Sequence, residues 1–322
     1  MRVVVLSGGR SSEHEVSLES GRSVAEGLEA AGHEAVPVLI ERDGRWSRDG
    51  EPVRLEPAGG LLGADAVFPA LHGPFGEDGT IQGLLECLDV PYVGPGVLGA
   101  AVAMDKLVFK RLCAYHGLPQ VGFCEAGEEG WREMAAAMGR PLWVKPSRLG
   151  SSVGISKVSN PEAELDEAVE LALRHDPRVI VEEHAGGLEV ECSVMGNDAL
   201  EVSLPGQITI DADWYDYEAK YEEGGMELVV PAPIGEEATE RLGELARLVF
   251  KAVGVTGLAR CDFFVRDGGE VLVNEINTMP GFTATSVFAK LFEASGKPYP
   301  EVCDRLVTLA VEHHRAERGY EY

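Results

Sequence analysis

The chain has 322 residues, 45% apolar and 25% charged, which is enough for two or three domains with proper cores. A formal net charge of −26 excludes non-specific binding to nucleic acid or to an anionic membrane, and no stretch approaches a transmembrane span. The six cysteines are scattered without a Cys-x-x-Cys pair, the pattern of reduced core thiols in a cytoplasmic protein and not of a disulfide frame or a zinc site.

The start of the chain runs into the apolar stretch Val3–Leu6, which predicts a buried strand and lacks the length and cleavage site of a signal peptide. A helix follows from Ser17 to Gly32, then strands at Glu34–Ile40 and Ala66–Leu71, a helix at Thr80–Leu88 and a last short strand at Pro91–Val93. Strand–helix alternation with short connections predicts an N-terminal α/β domain, residues 1–95, built on a parallel sheet with helices on both faces. Ligands on such sheets bind beyond the carboxyl ends of the strands. Two unusual loops, Ser7–Glu15 and His72–Gly79, occupy those ends.

Past the linker Gly94-Pro95-Gly96 come helices at Val97–Ala103 and Lys106–His116, strands at Leu142–Lys145 and Val153–Val158, a helix at Pro161–Arg174 and the strand Val179–Glu182. This is a central α+β unit, residues 96–186. Its loop Lys145–Gly154 is rich in Gly and Ser, and successive amides there form an anion nest suited to nucleotide phosphates; a plain turn is the alternative. Lys145 ends an apolar run, a costly place for an unpaired charge. Lys106 is a second candidate phosphate lysine, with a solvated helix lysine as the alternative. Glu182 and Glu189 flank a connection that could hold an adenine base and a ribose, although two glutamates in an acidic protein need no special explanation.

The last unit, 187–322, has strands at Glu189–Met195 and Leu200–Leu204, and then the loop Asp213–Gly225 with Trp214, Tyr215, Tyr217, Lys220 and Tyr221. Aromatic residues and a lysine between Gly-rich ends suggest a lid over a polar ligand; an aromatic loop packed on the surface is the alternative. A helix at Glu236–Val253 leads into the hairpin Arg260–Asn277 and two closing helices. If Gly268 and Gly269 form a two-residue turn, Asp262 lies opposite Glu275 and Arg260 opposite Asn277. Directly opposed carboxylates destabilise a sheet, so Asp262, Glu275 and Asn277 on one face call for a cation, and such oxygen ligands suit Mg²⁺. A three-residue loop would break that count, and a solvated face laced with salt bridges is the alternative. Ser286, at the start of the next helix, would hold a carboxylate with the helix dipole, or would serve as a simple N-cap.

Taken in order, Gly8-Gly9 with Ser12–Leu18, Leu71–Gly73 with Gly76–Gly79, Met104–Lys106, Val144–Pro146 with Gly150–Gly154, Tyr215–Tyr221, Arg260–Asp262 and Asn274–Thr283 resemble the D-alanine–D-alanine ligase family of the ATP-grasp superfamily. The resemblance spans nearly the whole chain. It implies a three-domain ATP-grasp fold, ATP as co-substrate and two Mg²⁺ ions, with Mn²⁺ as a substitute, on Asp262, Glu275 and Asn277. It implies that Lys106, Lys145 and Lys220 contact the nucleotide phosphates with Ser151 and Ser152, and that Glu182 and Glu189 sit against the adenosine. Glu15 would bind the ammonium of a first D-alanine, with His72 near its carboxylate, and Glu15, Ser151 and Tyr221 would lock the lid. Arg260 and the Gly281 N–H would stabilise the oxyanion, while Ser286 and Lys220 would hold the carboxylate of a second D-alanine. The resemblance further implies a homodimer in a bacterial cytoplasm making a peptidoglycan precursor through a D-alanyl phosphate. Tyr221 favours an amine acceptor over D-lactate. Arg10 and Trp214 are small departures from the family pattern.

Overall fold

The structure is a computed structural model that describes residues 1–150, 153–209 and 227–321. Its N-terminal part runs β1 (Arg2–Gly8), α1 (His14–Ala30), β2 (Glu34–Ile40), β3 (Trp46–Arg48), β4 (Glu51–Pro52), β5 (Ala66–Pro69) and α2 (Thr80–Leu88). The sheet order is β4-β3-β2-β1-β5, with β1 parallel to both β2 and β5. The central strand is apolar at every position from Val3 to Leu6 because both faces are covered. Val3 and Val5 meet Val24 and Leu28, while Val4 and Leu6 meet Ile81 and Leu85.

The sheet is not purely parallel as expected, since β2 pairs antiparallel with β3 and β3 with β4. The connection 41–45 is far too short for the crossover that a parallel neighbour requires, so the chain can only return as a hairpin. Pro91–Val93 contributes no more than a bridge between Tyr92 and Val67.

The middle part contains α3 (Val97–Met104), α4 (Lys106–Tyr115), β6 (Phe123–Glu125), α5 (Trp131–Ala137), β7 (Leu142–Pro146), β8 (Ser156–Val158), α6 (Pro161–Leu173) and β9 (Val179–Glu183). Its antiparallel sheet has the order β6-β9-β7-β8. Asp105 caps α4, its carboxylate accepting from the amides of Leu107 and Val108.

The last part runs β10 (Leu188–Gly196), β11 (Leu200–Val202), β12 (Gly206–Thr209), β13 (Glu227–Val229), α7 (Glu236–Val253), β14 (Gly257–Val265), β15 (Val271–Asn277), α8 (Val287–Ala294) and α9 (Tyr299–Glu317). The sheet order is β13-β12-β10-β14-β15, with β11 also on β10. One face is covered by α7, whose Leu242, Leu245, Ala246, Val249, Phe250 and Val253 recur at helical spacing and join the core beneath the strands. Gly254, at φ +73°, ends that helix in the left-handed conformation. The opposite face is covered by α8 and α9 at one end, where Met195 and Leu258 pack with Phe288, Phe292 and Leu306, and is open to the site at the other.

Each sheet is drawn from one of the segments 1–95, 96–186 and 187–322, but packing crosses these boundaries. Phe109 and Cys113 of α4 enter the α7 core. At the far end, α9 returns to the first sheet, where Val302, Leu306 and Val307 share a core with Val24, Leu28 and Phe68. Of the six cysteines, Cys87 is exposed and the other five are buried. No described helix is long and apolar enough to cross a membrane.

Candidate active site

The β14–β15 hairpin reaches the expected register by a different route. Arg266 donates its amide to the Glu270 carbonyl at 2.9 Å and accepts from the Gly269 amide at 3.0 Å, so the loop is the three residues 267–269. That loop alone would place Asp262 opposite Asn274. A β-bulge between Asp262 and Phe263 corrects it: Phe263 pairs with Val273, Asp262 with Glu275 and Arg260 with Asn277, leaving Asn274 as the extra residue. Two glycines in the turn were visible in the sequence, whereas the bulge follows only from how both strands pack.

On this face Arg260 clasps Asp262 through two hydrogen bonds of 2.8 and 2.7 Å and reaches Glu191 of β10 at 2.9 Å. Burial works against the guanidinium charge, but Asp262, Glu191 and Glu275 outweigh it and raise its pKa further. Asn277 donates its amide to Asp262 at 2.8 Å. Asp262, Glu275 and Asn277 thus stand side by side as two carboxylates and one amide oxygen, a donor set that fits a hard divalent cation. Among the described residues no group of three His, Cys, Asp or Glu side chains forms a metal site, so this mixed set is the candidate.

Facing the hairpin across a cavity of about 530 Å³ are Lys106 and Lys145. Lys106 is not the solvated helix lysine of the alternative reading. Its side chain is 14% exposed, and Nζ donates to the Leu149 carbonyl at 2.8 Å and lies 3.6 Å from Glu275. The start of its helix is pinned, since the Lys106 amide bonds the Ser147 carbonyl and the Ser147 hydroxyl bonds Asp105. Lys145 pairs with Glu182 at 2.7 Å, and Lys110 approaches the other Glu182 oxygen at 3.0 Å. Burial alone would raise the Glu182 pKa, yet the two ammonium groups hold it at about 2. Glu189 also lines the cavity, near the connection 183–185.

The N-terminal loops close the remaining side. Glu15 is not in the cavity: its side chain is 73% exposed and bonded to Arg42 at 2.8 Å. Glu13 is there instead, 7% exposed and lining the cavity with His72 and Glu77. Helix α1 begins at His14, and residues two apart on a helix point about 200° apart, so Glu13 and Glu15 face opposite ways. The signal was present in the sequence. Glu13 precedes the buried Ser17, Ser20 and Val24 by helical spacings, and Glu15 does not. Gly73 sits at φ +72°, a left-handed conformation that favours glycine, and a Cβ there would displace the Glu13 carboxylate, whose oxygen would lie 2.6 Å away.

His72 is buried, with Nδ1 3.0 Å from the Met279 carbonyl and Nε2 2.8 Å from the Ser20 hydroxyl. A carbonyl only accepts, so Nδ1 carries the proton and Nε2 accepts from Ser20. Burial lowers the pKa of the ring despite nearby Glu13, consistent with a neutral imidazole. His72 therefore ties the first sheet to the segment after β15. Glu77, which sequence reasoning missed, accepts from the Gly73 amide at 2.7 Å. Burial first, and then Glu13, push its pKa up to about 8.

Gly281 and Ser286 line the cavity beyond the hairpin. Ser286 makes no side-chain cap on α8; its hydroxyl accepts the Thr283 amide at 3.0 Å and meets the Thr283 hydroxyl at 2.8 Å. Ser151, Ser152, Lys220 and Tyr221 lie outside the described residues.

A cavity between two antiparallel α+β units carries lysines on one wall and carboxylates with an arginine on the other, the arrangement that the resemblance to ATP-grasp ligases leads one to expect. The family described as D-ala D-ala ligase C-terminus matches residues 112–308, and its N-terminal counterpart matches 2–60 and 49–95. A D-alanine–D-alanine ligase of Deinococcus radiodurans is 48% identical over 97% of this chain and 98% of its own length. One from Halothermothrix orenii is 43% identical over 97% and 98%. Among solved structures, the D-alanine–D-alanine ligase of Coxiella burnetii superposes with TM-score 0.89 at 34% identity, covering 99% of this chain and 96% of that one. The VanG D-Ala:D-Ser ligase of Enterococcus faecalis gives TM-score 0.87 at 35% identity over 96% and 99%. The chain belongs to the D-alanine–D-alanine ligase family.

Proposed function

We infer that the protein joins two D-alanines to D-alanyl-D-alanine at the cost of one ATP, releasing ADP and phosphate, in cell-wall precursor synthesis. The observation that carries this reading is the Arg260–Asp262–Glu275–Asn277 face set across one cavity from Lys106, Lys145 and Glu182, in a chain that matches its ligase relatives over nearly its full length. Oxide is a poor leaving group, so a carboxylate and an amine do not condense directly. Transfer of the γ-phosphoryl group to the first D-alanine breaks the β,γ P–O bond and makes a D-alanyl phosphate. The second amine attacks that carbonyl, loses a proton and expels phosphate.

The residues divide this work. Lys106 and Lys145, with Lys220, Ser151 and Ser152, neutralise and orient the phosphates; Glu182 and Glu189 hold the adenosine. Asp262, Glu275 and Asn277 would hold two Mg²⁺ ions, or Mn²⁺ in their place, and such ions would supply charge neutralisation at the transferring phosphoryl group. Arg260 and the Gly281 amide face the developing oxyanion. Glu13, in the place first given to Glu15, takes the first ammonium and, with Ser151 and Tyr221, fastens the lid, while His72 fixes the wall beside the first D-alanine. Ser286 and Lys220 take the carboxylate of the acceptor. The protein acts in the cytoplasm as a homodimer, with functional units at 1–95, 96–186 and 187–322.

Glu13→Gln should raise the KM of the first D-alanine by about tenfold or more, whereas Glu15→Gln should leave both substrate constants within about twofold. Steady-state kinetics of the two variants decide it, and the reverse pattern would restore Glu15. The likeness to a D-Ala:D-Ser ligase favours one second reading, a D-serine acceptor. An apolar pocket rejects an added hydroxyl by only about 10²-fold, so the two must be compared directly. Full-length protein with ATP, Mg²⁺, D-alanine and excess D-serine or D-lactate should yield D-alanyl-D-alanine as the dominant product by mass, with one ADP per bond. A dominant D-alanyl-D-serine or depsipeptide would overturn the acceptor reading.

A further inference from the structure

Lys110 lies one turn beyond Lys106 on α4 and is among the most deeply buried large side chains, 2% exposed, yet it is not part of the cavity wall. Its Nζ is 3.0 Å from one Glu182 oxygen, and no described group meets hydrogen-bond geometry with that ammonium. The other Glu182 oxygen is 2.7 Å from Lys145, which does line the cavity. One carboxylate therefore holds two ammonium groups, one from the core side and one from the ligand side. The backbone around Lys110 is fixed as well, since the Gln120 side chain donates to its carbonyl at 2.8 Å.

We propose that Lys110 is a positioning residue for the nucleotide: it is the permanent counter-ion of Glu182, and it allows Lys145 to leave that carboxylate for the phosphate oxygens when ATP enters. This rests on the reading that Lys145 and Glu182 belong to the nucleotide site. A buried carboxylate with a single counter-ion resists losing it, because the charge left behind is uncompensated in a low-dielectric surrounding. Without Lys110, Glu182 would keep Lys145 for itself, and the energy of separating them would be subtracted from ATP affinity. With Lys110 locked in the core, Lys145 is the partner free to exchange, and Glu182 stays ionised as an acceptor for the amino group of adenine. The depressed pKa of Glu182 agrees with two cations acting on one carboxylate.

The experiment titrates ATP onto the full-length chain and measures steady-state kinetics alongside. Lys110→Met should weaken ATP binding and raise its KM by about tenfold or more, while kcat at saturating ATP stays within about threefold. Lys110→Met/Glu182→Gln should bind ATP within about threefold of Glu182→Gln alone, because no carboxylate remains to hold Lys145. This second comparison also decides the matter if Lys110→Met fails to fold, since a neutral pair replaces the ion pair. Unchanged affinity in Lys110→Met, or a double variant weaker than Glu182→Gln by tenfold, would assign Lys110 to folding alone and overturn the proposal. Lys145→Met is the control: if it binds ATP as the wild type does, the nucleotide-site reading itself falls and takes this proposal with it.

Discussion

Glu275→Gln should lower kcat by about 10²- to 10³-fold while ATP affinity changes by less than about fivefold. The substitution keeps the shape of the side chain and removes its charge. Glu275 is the residue that the β-bulge delivers opposite Asp262, and it also faces Lys106 at 3.6 Å. In the proposed metal role its charge would be needed where phosphoryl transfer gathers negative charge around a divalent ion, since catalysis of that kind is mostly electrostatic positioning. Lys106 keeps its bond to the Leu149 carbonyl and Lys145 its ion pair with Glu182, so nucleotide binding should survive. ADP release measured across a range of Mg²⁺ concentrations, with ATP binding titrated separately, checks both halves. Turnover near the wild-type level would remove the metal-site assignment.

Arg260→Met should damage both stability and chemistry. Its guanidinium is the shared cation of Glu191 and Asp262 and lies in the field of Glu275. Breaking a buried ion pair by deleting one partner typically costs about 3–5 kcal/mol, because the remaining charge stays buried. Thermal unfolding should therefore show a markedly lowered midpoint. Adding Mg²⁺ with nucleotide should recover part of that loss, since a cation that binds the native carboxylates stabilises by mass action. Turnover should not recover, and should remain lower by about 10²-fold or more, because in the role proposed for Arg260 the ion would not replace a donor to the oxyanion. Recovery of turnover with Mg²⁺ would reduce Arg260 to a structural counter-ion.

The two results bear on different parts of one hairpin, and that hairpin shows what could be inferred from residue order. Alternation on both strands and the paired glycines placed Asp262, Glu275 and Asn277 together. The assumed two-residue turn was wrong, and the register came out as expected because the bulge at Asn274 compensates for the longer loop. Turn length and bulge placement depend on packing of both strands against neighbours, β10 on one side and the α7 core beneath, which no local pattern encodes. The mixed N-terminal sheet had a local sign in its short 41–45 connection. The Glu13–Glu15 choice also had one, in the spacing to Ser17, Ser20 and Val24.

By itself the sequence determined most of the succession of elements, though not β3, β4, β6, α5, β12 or β13, and its ordered motifs implied the class of chemistry, because periodicity, turn residues and motifs are properties of neighbours along the chain. Only the tertiary structure decided which carboxylates line the cavity. It turned Glu13 inward and Glu15 outward, brought Glu77 to the cavity wall and set Lys110 behind Glu182. It also tied His72 to Ser20 and Met279 and carried α9 back onto the first sheet. Those outcomes depend on burial and on charges brought together from distant segments, and electrostatic energy depends on distance in space and on the surrounding dielectric, not on separation along the chain.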